Sequence, residues 1–262
     1  MVSILCRVAV ISLAATVWAS AQEVAPAGFR PESRSNPAPA QTPAASPVTP
    51  EVRADIYMAR KMFREAAETY KEGPQNSPVI LNKTGIAYHQ MLDLDTAKKY
   101  YERAIRLNPK YAEAINNLGT IYYSHKSYRR AITYYKRALR LDPNSPAFYS
   151  NLGSGYFARK DYKNAADCWQ KALELDPEIF EHKGTHGVVL QERSTDDRAK
   201  FHYYLAKTYA RAGQNERALM YIRKSLEEGF KERKKFEEEP EFAALRDLPE
   251  FKQLLALEPR VL

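Results

Sequence analysis

Cysteine is nearly absent from this 262-residue chain, which holds only Cys6 and Cys168. Cys6 falls in a segment expected to be removed, so no intramolecular disulfide is expected to hold the fold. Cys168 lies on the apolar side of a helical pattern beside Trp169, as a small hydrophobe would. Glycine is also scarce, 10 residues in all, and nowhere gathers into a loop that could cradle phosphate. The five histidines (His89, His125, His182, His186 and His202) have no serine or cysteine nucleophile placed beside them in the sequence. Neither catalysis nor a cofactor is therefore expected. No apolar run reaches the roughly 20 residues that a membrane-spanning helix needs.

The longest apolar run is Val8–Ala19, behind Arg7, the one charge in the first 22 residues. Ala19-Ser20-Ala21 follows it. This is the pattern of an export signal over residues 1–21, expected to be cleaved after Ala21, with retention as an uncleaved anchor the alternative, and it predicts a periplasmic or secreted protein. Cys6 precedes the run rather than following it, which argues against a lipid anchor. Residues 22–50 carry seven prolines among alanine, serine and threonine. They read as an extended linker unable to bury a core.

What the sequence does have is a period of 34. Gly85, Gly119 and Gly153 form one column, and Tyr88, Tyr122 and Tyr156 a second. Ala97, Ala131 and Ala165 form a third, Ala104, Ala138 and Ala172 a fourth, and Pro109, Pro143 and Pro177 a fifth. Within a unit the pattern is helical: Tyr128, Ala131, Ile132, Tyr135, Ala138 and Leu139 make one apolar stripe. A first helix is predicted over Ala112–Ser124, and Pro143 ends the second. Gly119 and Ala131 stand where the two helices must approach closely, and Ala138 where the next hairpin docks. One hairpin cannot bury both its faces, so several must stack.

These columns resemble the tetratricopeptide repeat. The resemblance implies an all-α, right-handed α-solenoid of helix-turn-helix hairpins. In that frame the array covers residues 51–232. It comprises a degenerate unit at 52–77, three clear units at 78–111, 112–145 and 146–179, an insertion at 180–198 and a looser unit at 199–232. In the last unit Leu205, Ala206, Tyr209 and Ala218 keep register, while Ser225 and Phe230 replace the alanine and proline. Residues 233–262 depart from the repeat. Pro240-Glu241-Phe242 and Pro249-Glu250-Phe251 each open a short predicted helix, and Phe242, Leu245, Leu248, Phe251, Leu254 and Leu255 supply an apolar face to cap the stack.

The family binds partners along the face made by its first helices. There, asparagines just before a Leu-Gly pair can hold the backbone of an extended peptide, because a carboxamide both donates and accepts. Asn117 and Asn151 occupy that place, while Lys83 and Tyr204 interrupt it in the flanking units. The rest of the predicted groove is Asn82, His89, Asn116, Thr120, Tyr123, Ser150, Ser154 and Phe157. The full lysine, asparagine and arginine set of the family's carboxylate-clamping groove is missing. The resemblance thus implies a non-enzymatic scaffold of the cell envelope that binds a protein or peptide partner. The alternative is a permanent structural subunit of an envelope, secretion or pilus assembly, which would need large apolar patches on its second helices. His182 and His186 are spaced i, i+4 in the insertion, but Gly184 and Gly187 interrupt a helix and no third metal ligand is near. Ser194 and Asp197 predict a helix start. The net charge of +8 looks spread along the sequence, so nucleic acid is not an expected partner, although acidic partners or an anionic surface would suit it.

Overall fold

The computed structural model describes residues 48–181 and 194–256, all within a compact unit that begins at Pro47. The signal of residues 1–21, the linker up to residue 47, and His182 and His186 of the insertion lie outside the described residues. The fold is all-α, and consecutive helices pack as antiparallel hairpins that stack in chain order.

The first hairpin pairs α1 (Pro50–Ala59) with α2 (Phe63–Lys71), and the second α3 (Pro78–Gln90) with α4 (Leu94–Leu107). The third pairs α5 (Ala112–Ser124) with α6 (Tyr128–Leu141), and the fourth α7 (Pro146–Ala158) with α8 (Tyr162–Leu175). The fifth is made of α9 (Thr195–Arg211) and α10 (Asn215–Glu227). α1 starts two residues before the predicted unit because Thr49 caps it, accepting from Val52 N at 3.3 Å, with Pro50 in the first turn. α9 likewise starts four residues before the predicted boundary at 199. Ser194 Oγ accepts from Asp197 N at 3.2 Å and donates to the Asp197 carboxylate at 3.0 Å, and two acids in the first turn suit the helix dipole. Phe180, placed by the sequence reading in the insertion, instead packs edge-on against Trp169 and Tyr209.

The glycine column has a direct steric cause. A Cβ on Gly85 would lie 2.6 Å from the Tyr101 ring, one on Gly119 2.7 Å from Tyr135, and one on Gly153 2.4 Å from Trp169. Each of these rings is fully buried against the helix that carries the glycine. The fifth hairpin has Ala206 in the glycine position and Ile222 in the ring position, both fully buried. A branched aliphatic residue there leaves room for a methyl group that an aromatic ring does not.

The tyrosine column closes the turns. The carbonyls of Tyr57, Tyr88, Tyr122, Tyr156 and Tyr209 accept from the N–H five residues on, at 2.8 to 3.0 Å. This bond requires one residue per turn in the left-handed region, and Lys61, Leu92, Lys126, Lys160 and Gly213 occupy it. Only Gly213 adopts it without cost. Leu92, at φ 62° and 80% exposed, combines backbone strain with an apolar side chain in water. Leu92→Gly is expected to raise the unfolding free energy by about 1 kcal/mol, read from urea denaturation. No gain would mean that the side chain compensates through contacts of its own.

After α10 the chain forms α11 (Lys234–Glu238), a 3-10 turn over Pro240–Leu245 and α12 (Pro249–Ala256). The first Pro-Glu-Phe therefore opens a 3-10 turn rather than an α-helix. Phe230, Phe236 and Phe242 close around Tyr203, with Phe230 stacked on it at 4.5 Å between centroids. Leu245, Phe251 and Leu254 complete one core with α9 and α10.

Candidate functional site

The first helices α3, α5 and α7 touch one another along the stack and present one face. Ile80, Leu81, Ile115 and Leu118 point into the core, and the intervening Asn82, Asn116 and Asn117 turn toward that face.

The asparagines are joined to one another. Asn151 Nδ2 donates to Asn116 Oδ1 at 3.1 Å, and Asn116 Nδ2 to Asn117 Oδ1 at 3.4 Å. Asn117 Nδ2 donates to Asn82 Oδ1 at 3.0 Å, and Asn82 Nδ2 to the Tyr111 hydroxyl at 3.5 Å. The result is a one-directional chain of side chains across three hairpins. Each linked carboxamide spends one donor or acceptor on the next, which gives burial of Asn82, Asn116 and Asn151 the partners it requires. Asn117 remains half-exposed, while Asn151 is only 4% exposed. The two predicted rungs are thus unequal: Asn117 faces solvent and Asn151 is an interior link. Sequence reasoning missed the role of Asn82 and Asn116 in joining them. The doublet Asn116-Asn117 was the available signal, since neighbouring carboxamides on one helix can reach two different hairpins.

The other predicted residues divide in the same way. Thr120 is half-exposed; its hydroxyl donates to Asn116 O at 3.3 Å and accepts from Tyr135 Oη at 3.4 Å. Ser150 and Ser154 are buried, the Ser154 hydroxyl donating to Ser150 O at 3.1 Å, where Trp169 Nε1 also donates at 3.3 Å. Tyr123 is buried against Tyr128. Phe157 is 3% exposed because Trp169, Phe201 and Tyr204 surround it, and it serves the joint between the fourth and fifth hairpins. Tyr204 stacks on Tyr162 at 4.6 Å.

Lys83, in the register of Asn117, is held by α1. Its Nζ lies 2.8 Å from Glu51 Oε1 and 2.7 Å from Asp55 Oδ2. Burial opposes the Lys83 charge, but hydrogen bonds to Asp55 and Glu51 outweigh it and hold the ammonium above its ordinary value. Tyr70 Oη also donates to Asp55. The upstream end of the face is therefore charged and the middle is amide and hydroxyl.

His89 lies half-buried against the edge of the Tyr101 ring, and burial lowers its pKa. Burial also lowers that of His202, outweighing the Glu228 carboxylate 2.6 Å away. A depressed histidine pKa means that the unfolded chain binds protons first. Stability from His89 is thus fully present above its unfolded pKa of about 6.5 and falls as pH drops below it. His89→Gln is expected to flatten the loss of stability between neutral and mildly acidic pH, measured by thermal melts across that range. An unchanged profile would remove His89 as a cause. Cys168, half-buried, has its thiol pushed up to about 12, chiefly by burial, which leaves little thiolate for chemistry.

The geometry defines a repeat protein built of stacked helical hairpins with a polar, amide-rich face along its first helices. Family models described as tetratricopeptide repeat match residues 82–146 and 146–179, and this central part of the chain belongs to that family. No curated protein matches the chain. Among solved structures, MamA from Desulfovibrio magneticus RS-1 is 21% identical, with 67% of this chain and 90% of that chain covered and a TM-score of 0.46. YrrB, a tetratricopeptide protein with an unusual peptide-binding site, is 18% identical over 69% of this chain and 84% of its own, with a TM-score of 0.43. The first tetratricopeptide domain of Spaghetti (RPAP3), bound to an HSP90 peptide, is 23% identical over 41% of this chain and 86% of its own, at a TM-score of 0.39.

Proposed function

We propose that this protein is a non-catalytic interaction module that holds an extended segment of a partner protein along its first-helix face, in the cell envelope. The observation that carries this reading is the prearranged amide chain. Asn117 is fixed by Asn82 and Asn116 yet half-exposed, so its carboxamide meets a peptide backbone without first losing rotamer freedom. Thr120, one turn along α5, adds a hydroxyl beside it. The export pattern at residues 1–21 supports the envelope location.

A photo-crosslinking side chain placed at Thr120 is compared with one at Arg129, which is exposed on the second helix of the same hairpin. In the native envelope fraction the Thr120 probe is expected to give a discrete protein adduct, mapped by mass spectrometry to one extended stretch of the partner. An adduct from Arg129 alone would overturn the groove.

A further inference from the structure

The fold adds Arg159 to a group of cations that is already dense in the sequence around α6. α6 carries Arg129, Arg130, Lys136, Arg137 and Arg140 and no acid. Its preceding turn adds Lys126, and Arg159 comes across from the next turn. Lys126, Arg129, Arg130 and Arg159 line a shallow recess of about 420 Å³ together with Ser127 and Tyr128. Among the described residues none of these four cations forms an ion pair, and Arg130 lies over the face of Tyr122. The fifth hairpin is different: Arg198, Lys200, Lys207, Arg211, Arg217 and Arg223 all face carboxylates. The four cations of the recess thus lie side by side without a carboxylate among the described residues, whereas those of the fifth hairpin are neutralised.

The recess belongs to a longer edge. Lys61, Leu92, Lys126 and Lys160 hold the same left-handed turn position in successive hairpins. Stacked helices lie about 8–10 Å apart, so their side chains emerge as a row. Met62, 37% exposed, stands next to Lys61 in this row, and Leu92 is 80% exposed. A strained, solvated leucine in the same turn register as Lys61, Lys126 and Lys160 is costly to the isolated fold, and the edge calls for an apolar contact as well as an anionic one.

We infer that this turn edge docks on an anionic membrane surface, with Lys126, Arg129, Arg130 and Arg159 meeting headgroup phosphates and Leu92 entering the headgroup–acyl boundary. A bilayer interface satisfies both demands at once: cations are attracted to anionic headgroups while an apolar side chain leaves water. An acidic protein segment would satisfy the cations and leave Leu92 exposed. The docking needs no spanning helix, and none of the described helices is long and apolar enough to be one. It uses a different surface from the peptide face and stands or falls separately.

The test is co-sedimentation of the full chain with vesicles of phosphatidylcholine, with and without phosphatidylglycerol, at low and high salt. The readout is the difference between the two lipids, to which an apolar N-terminal run shared by all variants contributes equally. Soluble polyglutamate and a DNA duplex are parallel arms. Binding is expected to require phosphatidylglycerol and to weaken with salt. A surface cation is worth about fivefold in partitioning, so Lys126→Gln/Arg129→Gln/Arg159→Gln is expected to weaken binding by on the order of 100-fold. Leu92→Gly relieves the turn and keeps the fold, yet is expected to weaken vesicle binding about tenfold. Equal binding by wild type and triple variant overturns the inference, as does retention of full binding by Leu92→Gly. Capture by polyglutamate or DNA without vesicle binding also overturns it, in favour of an acidic protein or a nucleic acid.

Discussion

Gly153→Ala is expected to destabilise the protein by about 2 kcal/mol, although alanine is the better helix former. The methyl group would lie 2.4 Å from Trp169 Nε1 and 2.5 Å from Cδ1. The indole cannot retreat easily. It is fully buried, donates to Ser150 O at 3.3 Å, and is packed by Phe157, Phe180 and Phe201. Overpacking a closed core costs about 1–3 kcal/mol or more, against a propensity gain of up to about 1 kcal/mol. The fifth hairpin shows how the conflict is relieved, with Ala206 accepted opposite Ile222. In a Trp169→Ile background, itself weakened by the lost ring, Gly153→Ala is therefore expected to change sign and become neutral or stabilising. A double-mutant cycle from urea denaturation gives the coupling. Equal costs in the two backgrounds would show that the glycine is required for something other than the ring.

Phe242→Ala is expected to cost about 3–5 kcal/mol, the usual range for truncating a buried aromatic ring. Phe242 is fully buried, 5.3 Å from Phe236 and 6.1 Å from Tyr203 between ring centroids. A stack of hairpins is stabilised by its interfaces, so a loosened end lets the last hairpin open before the rest. Hydrogen exchange should accelerate first in α9 and α10 and leave α3 to α6 protected. If all helices lost protection together, the array would be one cooperative unit and the end segment no more than a part of it. A loss below about 1 kcal/mol would show that the ring is not a structural anchor.

The helix pairs of the three regular units were legible because period and composition agree. α5 spans the predicted Ala112–Ser124, and Pro109, Pro143 and Pro177 each follow a second helix. The glycine and alanine columns predicted close approach, and the rings opposite the glycines supply it. The candidate face was legible only in outline. Spacing put Asn82, Asn116, Asn117 and Asn151 on the first helices, but spacing cannot say which carboxamide turns to its neighbour and which to solvent. Spacing makes Phe157 a groove aromatic, yet two of the rings that bury it, Phe201 and Tyr204, come from α9, 44 or more residues on. That contact crosses an insertion whose length breaks the period, so no local pattern encodes it.

By itself the sequence determined the repeat length, the hairpin, the residues that must be small and the face that must be apolar. These follow from helical periodicity and from the volume available between touching helices, both local quantities. Tertiary structure decided the rest. It linked four asparagines into a chain, buried Asn151 while leaving Asn117 half-exposed, and drew Lys83 to Glu51 and Asp55. It also paired six cations of the fifth hairpin with carboxylates and brought Arg159 beside Lys126, Arg129 and Arg130, which have none among the described residues. Net charge is a sum over the chain, whereas attraction depends on distance, and distances between residues of different hairpins exist only once the hairpins have stacked.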